Sequence, residues 1–192
     1  MTGAVVSAQP AIRGGRIRLY WCEFNVLMGF AMRPVFMLLL LSSAAAQAAP
    51  VEALKPMGFL AGHCWKGDFP EGKQSDEHCF QWQYDGNVLR DVHTVRTPGK
   101  PDYVGETIYY YDSAARQVAF LYVENGGGYS RGTMTPTATG LEFPATQYVA
   151  DGQSLTYRVR WTPSGPDAYE AFSEMYIKEK WVTQFKLVLK KQ

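Results

Sequence analysis

Beyond residue 50, hydrophobic positions fall in short runs that alternate with polar ones. No stretch keeps a helical period apart from a short turn over 51–60. Period-two alternation marks a strand with one buried face. It is cleanest where Leu155, Tyr157, Val159 and Trp161 share one face and Thr156, Arg158, Arg160 and Thr162 the other. In the last run Trp181, Thr183, Phe185, Leu187 and Leu189 oppose Gln184, Lys186 and Lys190, and both apolar sets are expected to point inward. The pattern predicts strands at 61–67, 76–84, 87–96, 103–111, 117–124, 129–135, 140–147, 154–162, 168–177 and 181–190.

Between these runs sit turn formers: Asp85 with Gly86, Asn125 followed by three glycines, Asp151 with Gly152, and Pro/Gly segments at 97–101 and 163–167. Connections this short make neighbouring strands antiparallel. Strands that follow one another in series form a meander, which loses its exposed edges most simply by closing. The expected fold is all-β, a single antiparallel up-and-down barrel of about ten strands with an internal cavity.

Asp85 and Gly86 read as the two-residue loop of a type I′ hairpin, with Tyr84 opposite Asn87. That register sets Trp82 against Leu89, Phe80 against Asp91 and His78 against His93, each pair on one side of the sheet with Cβ atoms about 5 Å apart. A bond between Cys64 and Cys79 would add a second register, with His63 opposite Phe80 and Trp65 opposite His78. One face then holds His63, Trp65, His78, Phe80, Trp82, Leu89, Asp91, His93 and Val95. The reverse face, with Lys66, Glu77, Gln81, Gln83, Arg90 and Arg96, is charged and belongs in water. The aromatic face is therefore the inner one, and it carries the only three histidines of the chain.

Residues 32–50 change the picture at the N-terminus. Arg33, an apolar run from Val35 to Leu41 and the small-x-small triplet Ala46, Gln47, Ala48 read as a secretory signal peptide cut after Ala48. The apolar run falls far short of the roughly 20 residues of a membrane-spanning helix. Residues 1–48 are thus read as leader and signal peptide, with 1–31 upstream of a start at Met28 or Met32, and 49–192 as the barrel domain. The leader takes four arginines and one glutamate with it, which leaves 15 basic against 17 acidic residues. A nucleic-acid partner would call for a basic patch or stripe, and none is present. Cys22 falls in the leader, so Cys64 and Cys79 remain as a pair in an exported chain, where a disulfide is the default. The expected location is periplasmic or secreted, with no membrane span in the mature protein.

Three imidazoles and a carboxylate on an aromatic inner face allow several chemistries. They could be satisfied interior polar groups, a polar floor for a bound ligand, a metal site built on His63, His78 and His93, or an acid/base group of His78 or His93 with Asp91. Glu106 and Arg131 are further candidates to hold a ligand's polar end. No Gly-x-Ser-x-Gly element supports a hydrolase of that type, and the glycine run at 126–128 precedes no helix that would make it a phosphate cradle.

The segments Leu60-Ala-Gly-His-Cys-Trp-Lys-Gly67, Glu77-His78, Gly105-Glu-Thr-Ile-Tyr-Tyr-Tyr-Asp112 and Trp181-Val-Thr-Gln-Phe-Lys186 resemble the small calycin-type barrels: lipocalin-like, fatty-acid-binding-protein-like and nitrobindin-like domains, including exported bacterial members. The resemblance implies an antiparallel barrel around a ligand cavity. Lipocalins carry Gly-x-Trp in their first strand, whereas two residues separate Gly62 from Trp65. Nitrobindin-like proteins hold haem through a late histidine, and no histidine follows His93, so haem is not carried over and no cofactor is expected. The resulting reading is an exported barrel that binds a small, largely apolar molecule. Trp65, Phe80, Trp82, Tyr157 and Trp161 would form its wall, with His63, Glu106 and Arg131 as further contacts and His78, Asp91 and His93 as the polar end. The alternatives are a cavity isomerase or hydrolase using His78 or His93 with Asp91, and a structural envelope protein without ligand.

Overall fold

A computed structural model describes residues 51–192; the leader and signal peptide expected over 1–48, and Cys22 with them, lie outside the described residues. After a 3-10 helix at Glu52–Met57 come ten strands: β1 (His63–Asp68), β2 (Ser75–Gln83), β3 (Val88–Arg96), β4 (Tyr103–Asp112), β5 (Gln117–Glu124), β6 (Tyr129–Thr137), β7 (Gly140–Ala150), β8 (Gln153–Pro163), β9 (Ala168–Ile177) and β10 (Lys180–Lys191). Each pairs antiparallel with the next, and β10 returns to β1, so the sheet closes. The predicted strands match these bounds to within three residues, because alternation and turn residues are local signals that the closed sheet leaves in force.

The seam between β1 and β10 is short, with Trp65 opposite Lys191 and Lys66 opposite Lys190. Gly67 permits the approach: a Cβ there would fall 2.6 Å from the Val188 carbonyl oxygen. The Cys64–Cys79 disulfide is present and ties β1 to β2, with His63 opposite Phe80 and Trp65 opposite His78 as the bond requires.

In β2–β3 the predicted register holds, with His78 opposite His93, Phe80 opposite Asp91 and Trp82 opposite Leu89. The turn itself is longer than expected. The ladder ends at Gln83 and Val88, and residues 84–87 form a four-residue loop in which Tyr84, Asp85 and Gly86 all take positive φ. Asn87 Nδ2 donates to the Tyr84 carbonyl at 2.6 Å and Val51 N–H to the Gly86 carbonyl at 3.0 Å. Those bonds satisfy loop carbonyls that a tighter turn would have placed elsewhere. The register survives because a two-residue and a four-residue loop centred on the same bond preserve the same pairs.

The apolar face of β10 was expected to include Trp181 and Thr183, and here the structure differs. A bulge between Thr183 and Phe185 inserts one residue and switches the face. Phe185, Leu187 and Leu189 point inward, and so does Gln184, which accepts a hydrogen bond from Ser173 Oγ at 2.8 Å. Trp181 lies outside, with the Arg158 guanidinium 4.3 Å above its ring.

The ends of the barrel are unlike. The 3-10 helix, which contains Pro56, lies at the end that carries the 84–87 loop and packs on β4, β5 and β7. Its Leu54 and Met57, with Leu60 after it, are fully buried. Trp65 Nε1 donates to the Leu60 carbonyl at 3.0 Å, and the Trp65 ring meets Tyr169 edge-on at 5.3 Å. This end is filled with side chains, and the free interior volume lies toward the other.

Candidate functional site

The barrel interior holds a cavity of about 420 Å³, within the range of small-molecule pockets. Its wall is aromatic, with Tyr109, Phe120, Phe143, Tyr157 and Trp161 deep inside and Phe69, Tyr103, Tyr122, Tyr148 and Phe185 further out. Asp76, His78, Asp91 and His93, all from β2 and β3, form a polar patch on it.

The patch is a chain of charges. His78 donates from Nδ1 to Asp91 Oδ2 at 2.7 Å and from Nε2 to Asp76 Oδ2 at 3.3 Å. His93 Nε2 lies 3.4 Å from Asp76 Oδ1, close enough to interact electrostatically but misaligned for a hydrogen bond, so Asp76 Oδ1 has no donor. Asp91 Oδ1 is likewise buried without one. The His78 and His93 rings stack, 4.7 Å apart and 5° from parallel.

The two imidazoles are driven in opposite directions. Burial would pull the His78 pKa down, but the charges of Asp91 and Asp76 and the hydrogen bonds they accept outweigh it and hold His78 well above the ordinary histidine value. For His93, burial and the neighbouring imidazolium together prevail over Asp76 and Asp91, and its pKa is lowered. Asp76 is also lowered: burial raises it, and the opposing pull of His78, then of His93 and the Glu77 backbone N–H, is greater. His78 thus favours its charged form with both N–H groups committed, and His93 its neutral form with neither nitrogen hydrogen-bonded among the described residues.

Gly105 lies opposite His93 in the β3–β4 ladder. A Cβ there would fall 2.5 Å from the Tyr122 ring, so the missing side chain is what lets Tyr122 lie over His93, 6.1 Å between centroids. Tyr122 and Tyr103 share a hydroxyl contact of 2.6 Å, and burial followed by that contact pushes the Tyr122 phenol far up. Towards the rim, Tyr148 donates to Glu124 Oε1 at 3.0 Å. The Glu124 carboxylate also accepts from the Gly126 and Gly128 backbone N–H groups; Gly127 takes a φ of +90°, and a Cβ at Gly128 would collide with the Tyr148 hydroxyl and the Glu124 carboxylate.

Of the residues predicted for the site, His78, Asp91, His93, Tyr157 and Trp161 line the cavity together. His63, Trp65, Phe80 and Trp82 do not line it. Trp65 and Phe80 are buried core with Trp82 packed against them, and half-buried His63 lies beside Trp65, 6.3 Å between rings. Glu106 faces outward in a two-bond pair with Arg90, at 2.9 and 2.7 Å, and Arg131 is exposed. Sequence reasoning missed Asp76, although it shares strand parity with His78 and stands opposite Val95. It also missed Tyr103 and Tyr122, each on the inner parity of its strand.

Among the described residues Asp76, His78 and His93 offer three ligand atoms within 4.8 Å of one another, in place of the expected His63, His78, His93 set. An imidazole binds a metal through an in-plane lone pair at about 2.0–2.1 Å. Nearly parallel rings send their lone pairs side by side, so one ion cannot lie in both planes and satisfy both nitrogens without a ring rotating.

No protein-family model matches the chain, and no curated protein matches it.

Proposed function

We propose that this barrel binds a small, largely apolar molecule in its interior, with Tyr157 and Trp161 among its walls and His78, Asp91 and His93, joined by Asp76, as the polar end. The observation that carries this reading is the aromatic cavity of about 420 Å³ with buried ionisable groups confined to one patch. A filled structural barrel would have no use for such a volume. The calycin-type resemblance agrees with it, and export to the periplasm or medium agrees with the disulfide. Among the described residues no helix is long and apolar enough to cross a membrane.

The reading is tested with the neutral fluorophore N-phenyl-1-naphthylamine and by native mass spectrometry of protein purified from its own host. Saturable 1:1 fluorophore binding is expected, weakened by filling the cavity with Ser173→Phe. A bare mass together with no fluorophore binding would return the barrel to a structural role.

A second reading is supported by His93, a half-buried imidazole of lowered pKa neither of whose nitrogens is hydrogen-bonded among the described residues. It could serve as general base in an isomerase or hydrolase, whereas His78 could not, since both its nitrogens are occupied. This alternative stands only if a compound that binds is also converted, and conversion stops in His93→Gln.

A further inference from the structure

Resting on that reading, we infer that the molecule this cavity accepts is an organic cation, a protonated amine or quaternary ammonium on an apolar body. Two separate features of the wall point to it. The first is charge. Two carboxylates, Asp76 and Asp91, face a single imidazolium, His78, and both of its N–H groups are spent on their Oδ2 atoms. One negative charge is left over, and among the described residues Oδ1 of each carboxylate has no hydrogen-bond donor. Asp91 is 1% exposed and Asp76 5%, so water screens this excess little. Among the described residues no lysine or arginine lines the cavity.

The second is the aromatic wall. Tyr103, Tyr109, Tyr122, Tyr157, Phe120 and Trp161 surround the space beside this patch. Aromatic faces attract cations through the ring quadrupole, and more strongly when water is excluded. The same wall is hostile to a fatty acid. Its carboxylate would meet two others and find no basic side chain, so the usual cargo of a fatty-acid-binding barrel is disfavoured here. A divalent metal is disfavoured by the parallel stack of His78 and His93, whereas an ammonium needs only the field and the ring faces.

The test compares three compounds of one shape class as competitors of N-phenyl-1-naphthylamine: benzyltrimethylammonium, its neutral carbon isostere neopentylbenzene, and 3-phenylpropanoate. The cation is expected to compete at least about tenfold better than the isostere, a difference of about 1.4 kcal/mol, and the carboxylate worst of all. In Asp76→Asn the ratio of cation to isostere should fall to about threefold or less.

If that variant fails to fold, wild-type protein gives the same information by pH. His93 is faced by Asp76 and His78 from β2, Asp91 on its own strand, Tyr103 from β4 and Tyr122 from β5. Protonating it adds a positive charge, so the cation's advantage should shrink as pH falls from 7 towards 5. Equal or better competition by neopentylbenzene, with the fluorophore still bound, overturns the cation inference and leaves the binding reading intact. Micromolar zinc chloride that displaces the fluorophore and is reversed by EDTA would also overturn it, in favour of a metal. Failure of the fluorophore and all three compounds to bind would overturn both.

Discussion

His78 donates to Asp91 across the β2–β3 ladder at 2.7 Å, although the residue directly opposite Asp91 is Phe80. The bond is the diagonal of the register, between a residue and the position two removed from its partner, which long side chains can bridge. It ties Asp91 to the middle ring of a stack formed by Phe80, His78 and His93. Against the cost of burial, Asp91 together with Asp76 holds His78 well above the ordinary histidine pKa, while burial and the charge of His78 lower that of His93.

Removing the charge of Asp91 should therefore be felt at His78 before anywhere else. Asp91→Asn keeps the shape but leaves a buried imidazolium with one anionic partner. Breaking a buried pair from one side costs on the order of 3–5 kcal/mol. The expected outcome is a loss near the lower end of that range in urea unfolding, with the His78 ring titrating at lower pH by NMR. An unchanged His78 titration would mean that Asp91 is not its principal partner.

Stability should peak close to the ordinary histidine pKa of about 6.5. His78 has a folded pKa above its unfolded one, so its contribution is complete below about 6.5 and is lost as pH rises through the folded value. His93 has a lowered folded pKa; the unfolded chain then binds more protons, and stability falls as pH drops below about 6.5. Asp76, also lowered, contributes above the unfolded carboxylate value of about 3.9 and is lost on further acidification. Urea midpoints across pH 4.5–9 should show both limbs, and His93→Phe should remove the first decline on the acid side while leaving the alkaline one.

The disulfide should matter most at the seam. It closes a separation of 15 residues, for which loss of loop-closure entropy predicts about 3 kcal/mol. The β1–β10 ladder it supports has only two registered pairs. Cys64→Ser with Cys79→Ser is expected to lower stability by about that amount, and hydrogen exchange should rise first in β1 and β10. Uniform exchange in all ten strands would argue against a weak seam.

Gly105→Ala should disturb the site without touching a charge. The added methyl collides with the Tyr122 ring, and overpacking of this kind costs about 1–3 kcal/mol. The nuclear Overhauser contact between Tyr122 and His93 should weaken and fluorophore binding change with it. If both persist, the Tyr122 ring has room that the structure does not show.

Much of this was legible because it is local or symmetrical. Alternation in 155–161 identifies an inner face without reference to any partner strand, and the His78–His93 pairing follows from a hairpin centre whatever its loop length. Asp76 shares that parity, yet a carboxylate at the start of a strand ordinarily faces water, and its burial at 5% exposed depends on the closed barrel. Gln184 was not legible, since a bulge depends on how β9 and β10 meet. Nor were the roles of His63, Trp65, Phe80 and Trp82, which share the inner face with the site. Where the volume lies along a barrel axis depends on which end the 3-10 helix fills.

By itself, then, the sequence determined the all-β class, the strand boundaries, the disulfide and the face on which the histidines lie, since each follows from backbone geometry over a few residues. Only the tertiary structure decided what that face does. Closure brings Trp161 of β8 against His78 of β2, packing at one end confines the cavity to the rest, and burial beside Asp91 and Asp76 drives two chemically identical rings to opposite pKa shifts. The first two rest on contacts between residues far apart in the chain, and the third on how deeply the closed barrel buries a pair whose register is local; none of these is encoded by a local pattern.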